Sequence, residues 1–155
     1  MRFEKPTIES VSELLTMVLG EDLNTTDADV SSLDEKYVAT FIDDNDELVA
    51  ICTSDMPFAS FSGAALAMIP ADVAKEAIKE GKLSQNLSEC FYEIMNLCSK
   101  LMLSESSDHL RLDKAYAPDE LPEGVTSIHA EGESCAFEVD IPRYGKGTLD
   151  FYIAA

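Results

Sequence analysis

Apolar residues recur with helical period from Thr7 to Leu19, where Ile8, Val11, Leu14, Leu15, Val18 and Leu19 fall on one side of a helix. Thr7 is placed to cap its start and Gly20 to end it. The period then lapses, and the acidic stretch 21–35 reads as an exposed connection. Two β-rich runs follow, 37–42 and 48–52, joined by the polar turn Asp43-Asp44-Asn45-Asp46, so a hairpin is expected. Residues 58–69 suit either strand or helix. A third strand is the favoured reading, with Gly63 relaxing it and Pro70 opening the next element. From Pro70 to Glu80, helical spacing returns in Val73, Ala74, Ala77 and Ile78, and Gly81 suits a C-terminal cap.

The strongest pattern lies between about Leu87 and Leu103. Leu87, Phe91, Ile94, Met95, Cys98, Leu101 and Met102 make a broad apolar side of one long helix. Asn86 is a candidate N-cap, with Glu89 three residues on as in a variant capping box. Opposite the apolar side, Glu89, Glu93, Asn96 and Lys100 form a polar stripe. Beyond residue 108 the pattern turns to strands. Leu110, Leu112 and Tyr116 share a face, Cys135, Phe137, Val139 and Ile141 alternate with polar or small residues, and Leu149, Phe151 and Ile153 repeat the alternation. Residues 117–124, with Pro118 and Pro122, read as a loop, and Gly145-Lys146-Gly147 as a turn. The expected fold is α+β over a single domain, residues 1–155. Three helices pack on a mainly antiparallel six-stranded sheet in the order α-βββ-αα-βββ.

Composition narrows the function. The chain has 30 acidic and 11 basic residues and a formal net charge of −19. Nucleic acid and anionic membrane surfaces would both repel it, because binding to them rests on neutralising phosphates. No run approaches the roughly 20 apolar residues of a membrane span. The start, Met1 to Pro6, lacks the apolar core of a signal peptide, so a cytoplasmic location is expected. Cys52, Cys90, Cys98 and Cys135 are scattered without ligand spacing, which favours free thiols in a reducing compartment over disulfides or zinc.

Little familiar chemistry survives inspection. The chain carries no phosphate-binding glycine loop, and His109 and His129 have no serine elbow beside them. Asp43, Asn45 and Glu47, like Asp22, Asn24 and Thr26, lack the glycine that lets a calcium loop turn. The stripe remains, and a solvated helix face is its plain alternative. Yet Asn96 has mediocre helix propensity, and Glu89 and Glu93 at i, i+4 repel by roughly 0.2–0.5 kcal/mol. A carboxamide donates and accepts hydrogen bonds without charge, so it can hold a water beside a phosphoryl group, as a glutamine does in GTP hydrolysis. Glu93, one turn away, suits an ion pair with a lysine on a docked partner.

At these residues the chain resembles a family. Leu87-Ser-Glu-Cys-Phe-Tyr-Glu93-Ile-Met-Asn96-Leu97 is similar to the signature helix of the CheC/CheX-type chemotaxis phosphatases, in which an acidic residue or serine precedes E-x-x-N. Gly63 to Ile78 resembles the segment leading into that helix, so the likeness covers about residues 60–103. It implies a phosphatase of a phospho-aspartyl response regulator of the CheY type. Glu93 would bind the regulator's lysine, and Asn96 would orient the hydrolytic water. Glu89 and Lys100 would flank them as partner contacts. The resemblance also implies Mg2+ on the regulator, no cofactor bound by this chain, and a homodimer of the single-site CheX kind. Glu89 stands where the family has aspartate or serine, and Lys100 where it has a small residue. Two alternatives follow: a non-catalytic interaction module of the same fold, and a dimerising, flagellar-switch-like component.

Overall fold

The computed structural model describes residues 3–20, 22–104 and 109–154. In chain order it forms α1 (Ile8–Leu19), β1 (Asn24–Ala28), β2 (Tyr37–Ile42), β3 (Leu48–Ser54), α2 (Met56–Leu66), α3 (Ala71–Glu80) and α4 (Gln85–Cys98). A 3₁₀ turn, Ser99–Met102, continues α4, and β4 (Arg111–Tyr116), α5 (Val125–Glu131), β5 (Glu133–Ile141) and β6 (Gly145–Ile153) follow. Among the described residues the strands make one six-stranded sheet, β1-β5-β6-β3-β2-β4, and each neighbouring pair is antiparallel. The fold is α+β, as the hydrophobic pattern implies.

The two faces of the sheet are covered unequally. Tyr37, Ala39, Phe41, Ala50, Cys52, Leu149, Phe151 and Ile153 join the main core with α1 to α4. Val38, Ile51 and Tyr152 form a smaller cluster with Val125 and Ile128 of α5 on the other side. The central strands are therefore enclosed, and all six residues of β2 are buried. That double burial is why β2 reads as a continuous apolar run instead of an alternation. A buried carboxylate on the α5 side, Asp150, accepts hydrogen bonds from the Ser31 backbone N–H (3.0 Å) and the Tyr152 hydroxyl (3.2 Å). These bonds fasten the segment after β1 to the middle of the sheet.

Four expectations need correction. Residues 58–69 are not a strand, because Met56–Leu66 is helix α2. Every residue from Phe58 to Ala64 is buried, and a helix enclosed on all sides carries no amphipathic period to reveal it. Its start is nevertheless encoded: Asp55 Oδ1 accepts from the Phe58 N–H at 2.9 Å, and Pro57 sits in the first turn. The same oxygen accepts from the Thr148 N–H at 3.0 Å and so binds α2 to β6. Contact there is so close that a Cβ on Gly147 would lie 2.3 Å from the Phe58 nitrogen. Second, the acidic stretch contains strand β1, a polar edge held through backbone pairing with β5. Third, 117–124 is a loop as expected, but the short helix α5 follows it, too brief to show a period, and with α2 it brings the α-helices among the described residues to five instead of three. Fourth, Gly145 to Gly147 open β6, and the turn lies just before them. The sheet thus keeps six strands by losing one expected member and gaining β1.

Candidate functional site

Helix α4 is held where α2 passes it. A Cβ on Gly63 would stand 2.9 Å from the Leu87 carbonyl oxygen, so glycine lets the two backbones approach. Leu87, Phe91, Ile94, Met95 and Cys98 bury the inner side of α4, and the Phe91 ring meets Tyr37 edge-on with centroids 5.6 Å apart. Each fully buried side chain of this size contributes about 1.5–3 kcal/mol, which makes α4 a firm support.

The helix begins earlier than its sequence suggests. Ser84, not Asn86, is the N-cap, and its Oγ accepts from the Leu87 N–H at 3.2 Å. Glu89 is therefore free of any capping role. Its Oε1 accepts instead from Gln85 Nε2 at 3.3 Å. Glu89, Glu93, Asn96 and Lys100 are all exposed. The side chains of Glu93, Asn96 and Lys100 make no hydrogen bond or ion pair among the described residues. Asn96 and Glu93, three residues apart, present their polar ends to solvent from one side of the helix.

Asn96 stands in the last α turn, not in mid-helix. Its carbonyl accepts from the Ser99 N–H and from the Ser99 hydroxyl, the latter at 2.8 Å, and Ser99 itself is buried. From Ser99 the chain tightens into the 3₁₀ turn, where each residue advances about 120° instead of 100°. Lys100 therefore lies on the 3₁₀ turn, while Glu89, Glu93 and Asn96 are on regular helix.

Beside the stripe lies a groove of about 640 Å³ between α4 and β4. Tyr37, Phe91 and Tyr116 line it with rings, and Glu89, Glu93 and Glu120 bring carboxylates to it. Burial pushes the Tyr37 hydroxyl above its ordinary pKa, the Leu83 backbone hydrogen bond opposes this, and the charge of Asp119 adds to it. Sequence reasoning missed this groove. Tyr116 and Glu120 come from a different element, and no local spacing connects them to α4.

Other chemistry is weaker. All four cysteines are free. Burial pushes Cys98 up to about 12 and, as the leading cause, Cys135 up to about 11, so neither supplies a thiolate near neutral pH. Burial also raises Cys52 and Cys90. His109 sits exposed 3.3 Å from Asp44, and His129 Nε2 lies 2.9 Å from the Ser31 carbonyl. Among the described residues no group of three or more His, Cys, Asp and Glu side chains is placed to hold a metal ion. Nor is any described helix long and apolar enough to cross a membrane.

No protein-family model and no curated protein sequence matches the chain. Solved structures do match its fold. A chain from the FliM–SpeE complex of H. pylori overlays with TM-score 0.67 and 11% identity, over 95% of this chain and 81% of that one. FliY of Thermotoga maritima gives 0.61 and 13%, over 97% and 85%. A chain from the CheX–CheY–BeF3–Mg2+ complex of Borrelia burgdorferi gives 0.54 and 14%, over 93% and 92%. The protein has the CheC/CheX-like fold, in the company of CheX, FliM and FliY.

Proposed function

We propose that the protein is a phosphatase of a phospho-aspartyl response regulator of the CheY type, acting in the cytoplasm. In this reading Glu93 pairs with a lysine on the regulator, and Asn96 enters beside the acyl phosphate and orients the attacking water. Glu89 and Lys100 contact the regulator on either side. The observation that carries the reading is the exposed, unpartnered Asn96 amide beside Glu93, on a helix anchored by five buried side chains. Fold likeness to a chain of a CheX–CheY complex supports it. Mg2+ would arrive on the regulator, since the acyl phosphate and its carboxylates belong to that partner. Catalysis here would be positioning: no covalent intermediate on this chain is needed when the amide holds water in line with the phosphorus.

The test is release of phosphate from a phosphorylated CheY-type regulator, with the protein at sub-stoichiometric concentration. Wild type should shorten the phosphate lifetime over repeated turnovers, and Asn96→Ala should slow release by about 100-fold. Equal rates for the two proteins would remove Asn96 from the mechanism.

A second reading is a non-catalytic interaction module of the same fold. The overlay on the chain from the FliM–SpeE complex, 0.67 against 0.54 for the one from the CheX–CheY complex, favours it. It expects stoichiometric binding with no change in phosphate lifetime. Either reading allows a homodimer, and β1 and β4 are the sheet edges through which two copies could pair. Sedimentation of the full chain decides between one copy and two.

A further inference from the structure

The groove beside α4 has a neighbour near the start of that helix. Leu83 lines it and also lines a second depression of about 460 Å³ between α3 and α4, where Ala77 and Leu87 supply apolar surface. Asp72, Glu76 and Glu80 border this second half as Glu89, Glu93 and Glu120 border the first. Among the described residues, Lys82 is the lone basic residue lining either half. Large apolar side chains stand in solvent in both halves: Tyr92 is 39% exposed and Val73 47%. Carboxylates line the first half from α4 and from the loop after β4, and the second half from α3, so the complementary occupant is both apolar and positively charged. Neutral apolar segments would leave the carboxylates unanswered, and acidic ones would be repelled.

We propose that these two neighbouring depressions, which share Leu83, dock a segment of a partner protein in which lysines or arginines are interleaved with large apolar side chains. The apolar groups settle between α4 and β4 and between α3 and α4, with Leu83 as the saddle. The cations answer the carboxylates of α3, of α4 and of the loop after β4. Asn96 lines neither half, so the segment leaves the end of α4 open. The inference goes beyond phosphoryl chemistry, although Glu89 and Glu93 are common to this surface and to the proposed regulator contact. It also answers a difficulty of charge, since a chain of net charge −19 needs a positive feature on its partner to associate quickly.

The experiment is fluorescence polarisation of the full chain at physiological salt with two labelled synthetic peptides of equal length. In one, lysines alternate with leucines; in the other, lysines alternate with serines. The lysine–leucine peptide should bind at least about tenfold more tightly than the lysine–serine peptide. Reversing charge with the double variant Glu76→Lys, Glu120→Lys should weaken it by about tenfold or more. A charge-matched control, Glu13→Lys with Glu131→Lys on exposed positions of α1 and α5, should leave binding near wild type. Equal binding of the two peptides, or equal weakening by both double variants, would mean attraction to net charge alone and would overturn the groove. Glu76 and Glu120 lie outside the Glu93–Asn96 pair, so phosphate release measured on the same variants separates failure of this inference from failure of the phosphatase reading.

Discussion

Helices α2 and α4 pack together at Gly63 and do opposite work. Seven consecutive residues of α2 are buried, so the helix has no outer face and can only support. Along α4, burial falls on Leu87, Phe91, Ile94, Met95 and Cys98, and the residues between them are available to a partner. The contrast shows how a small domain separates stability from recognition. One helix is spent entirely on the core, and the next is fixed against it along one side with the other side left open.

That division can be broken by substitution. The largest effect should come from Phe58→Ala, which empties a fully buried site at the start of α2. We expect a loss of about 3–5 kcal/mol, read as a lower denaturant midpoint. Asn96→Ala, by contrast, should stay within about 0.5 kcal/mol of wild type. Gly63→Val attacks the junction itself. Its Cβ meets backbone, which cannot swing away as a side chain could, so about 1–3 kcal/mol should be lost. Regulator binding should fall as α4 is displaced, although every exposed residue of α4 is intact.

Alkali should sharpen the same contrast from the inner side of α4. Burial holds the Cys98 thiol at about 12 against an ordinary value near 9.0. The neutral thiol is favoured by the fold, so its stabilising effect is complete below the ordinary value and is lost as pH rises from about 9 to about 12. Over that window Cys98 should contribute a fall of about 1.4 kcal/mol per pH unit, and Cys98→Ala should remove that share of the decline and leave the share of the other buried thiols, Cys52 and Cys135. Melting curves between pH 8 and pH 11 would read it, at roughly unit steps. A smaller loss than at Phe58 or Gly63 is expected from Ser99→Ala, which removes the hydroxyl bond to the Asn96 carbonyl. We expect about 1 kcal/mol of stability and a severalfold slower phosphate release with little change in KM.

What the sequence disclosed follows from the same contrast. Helix α4, helix α1 and the β2–β3 hairpin were legible because wet and dry positions are separated by an exposed side or punctuated by a polar turn. Thr7 and Gly20 cap α1 as expected, with Thr7 and Ser10 exchanging hydrogen bonds. Helix α2 was not legible from periodicity because its burial is continuous, and the signal that could have revealed it was Asp55 with Pro57 at its start. Strand β1 buries too little to leave a pattern. At the candidate site, Glu93 and Asn96 could be paired from spacing alone because they share one helix. The change to 3₁₀ winding at Lys100 is not written in apolar spacing. The cap of α4 moved from Asn86 to Ser84 because both residues are competent, and the helix takes the earlier one.

The most direct measurement is the side-chain and backbone amide NMR spectrum of the full chain, titrated with a CheY-type regulator activated by beryllofluoride and Mg2+. The Asn96 carboxamide signals should shift most, together with amides of Glu93 and its neighbours, while those of α2 stay in place. Perturbations gathered on α5 or the β1 edge, with the Asn96 carboxamide unmoved, would contradict the assignment of α4 as the presenting helix.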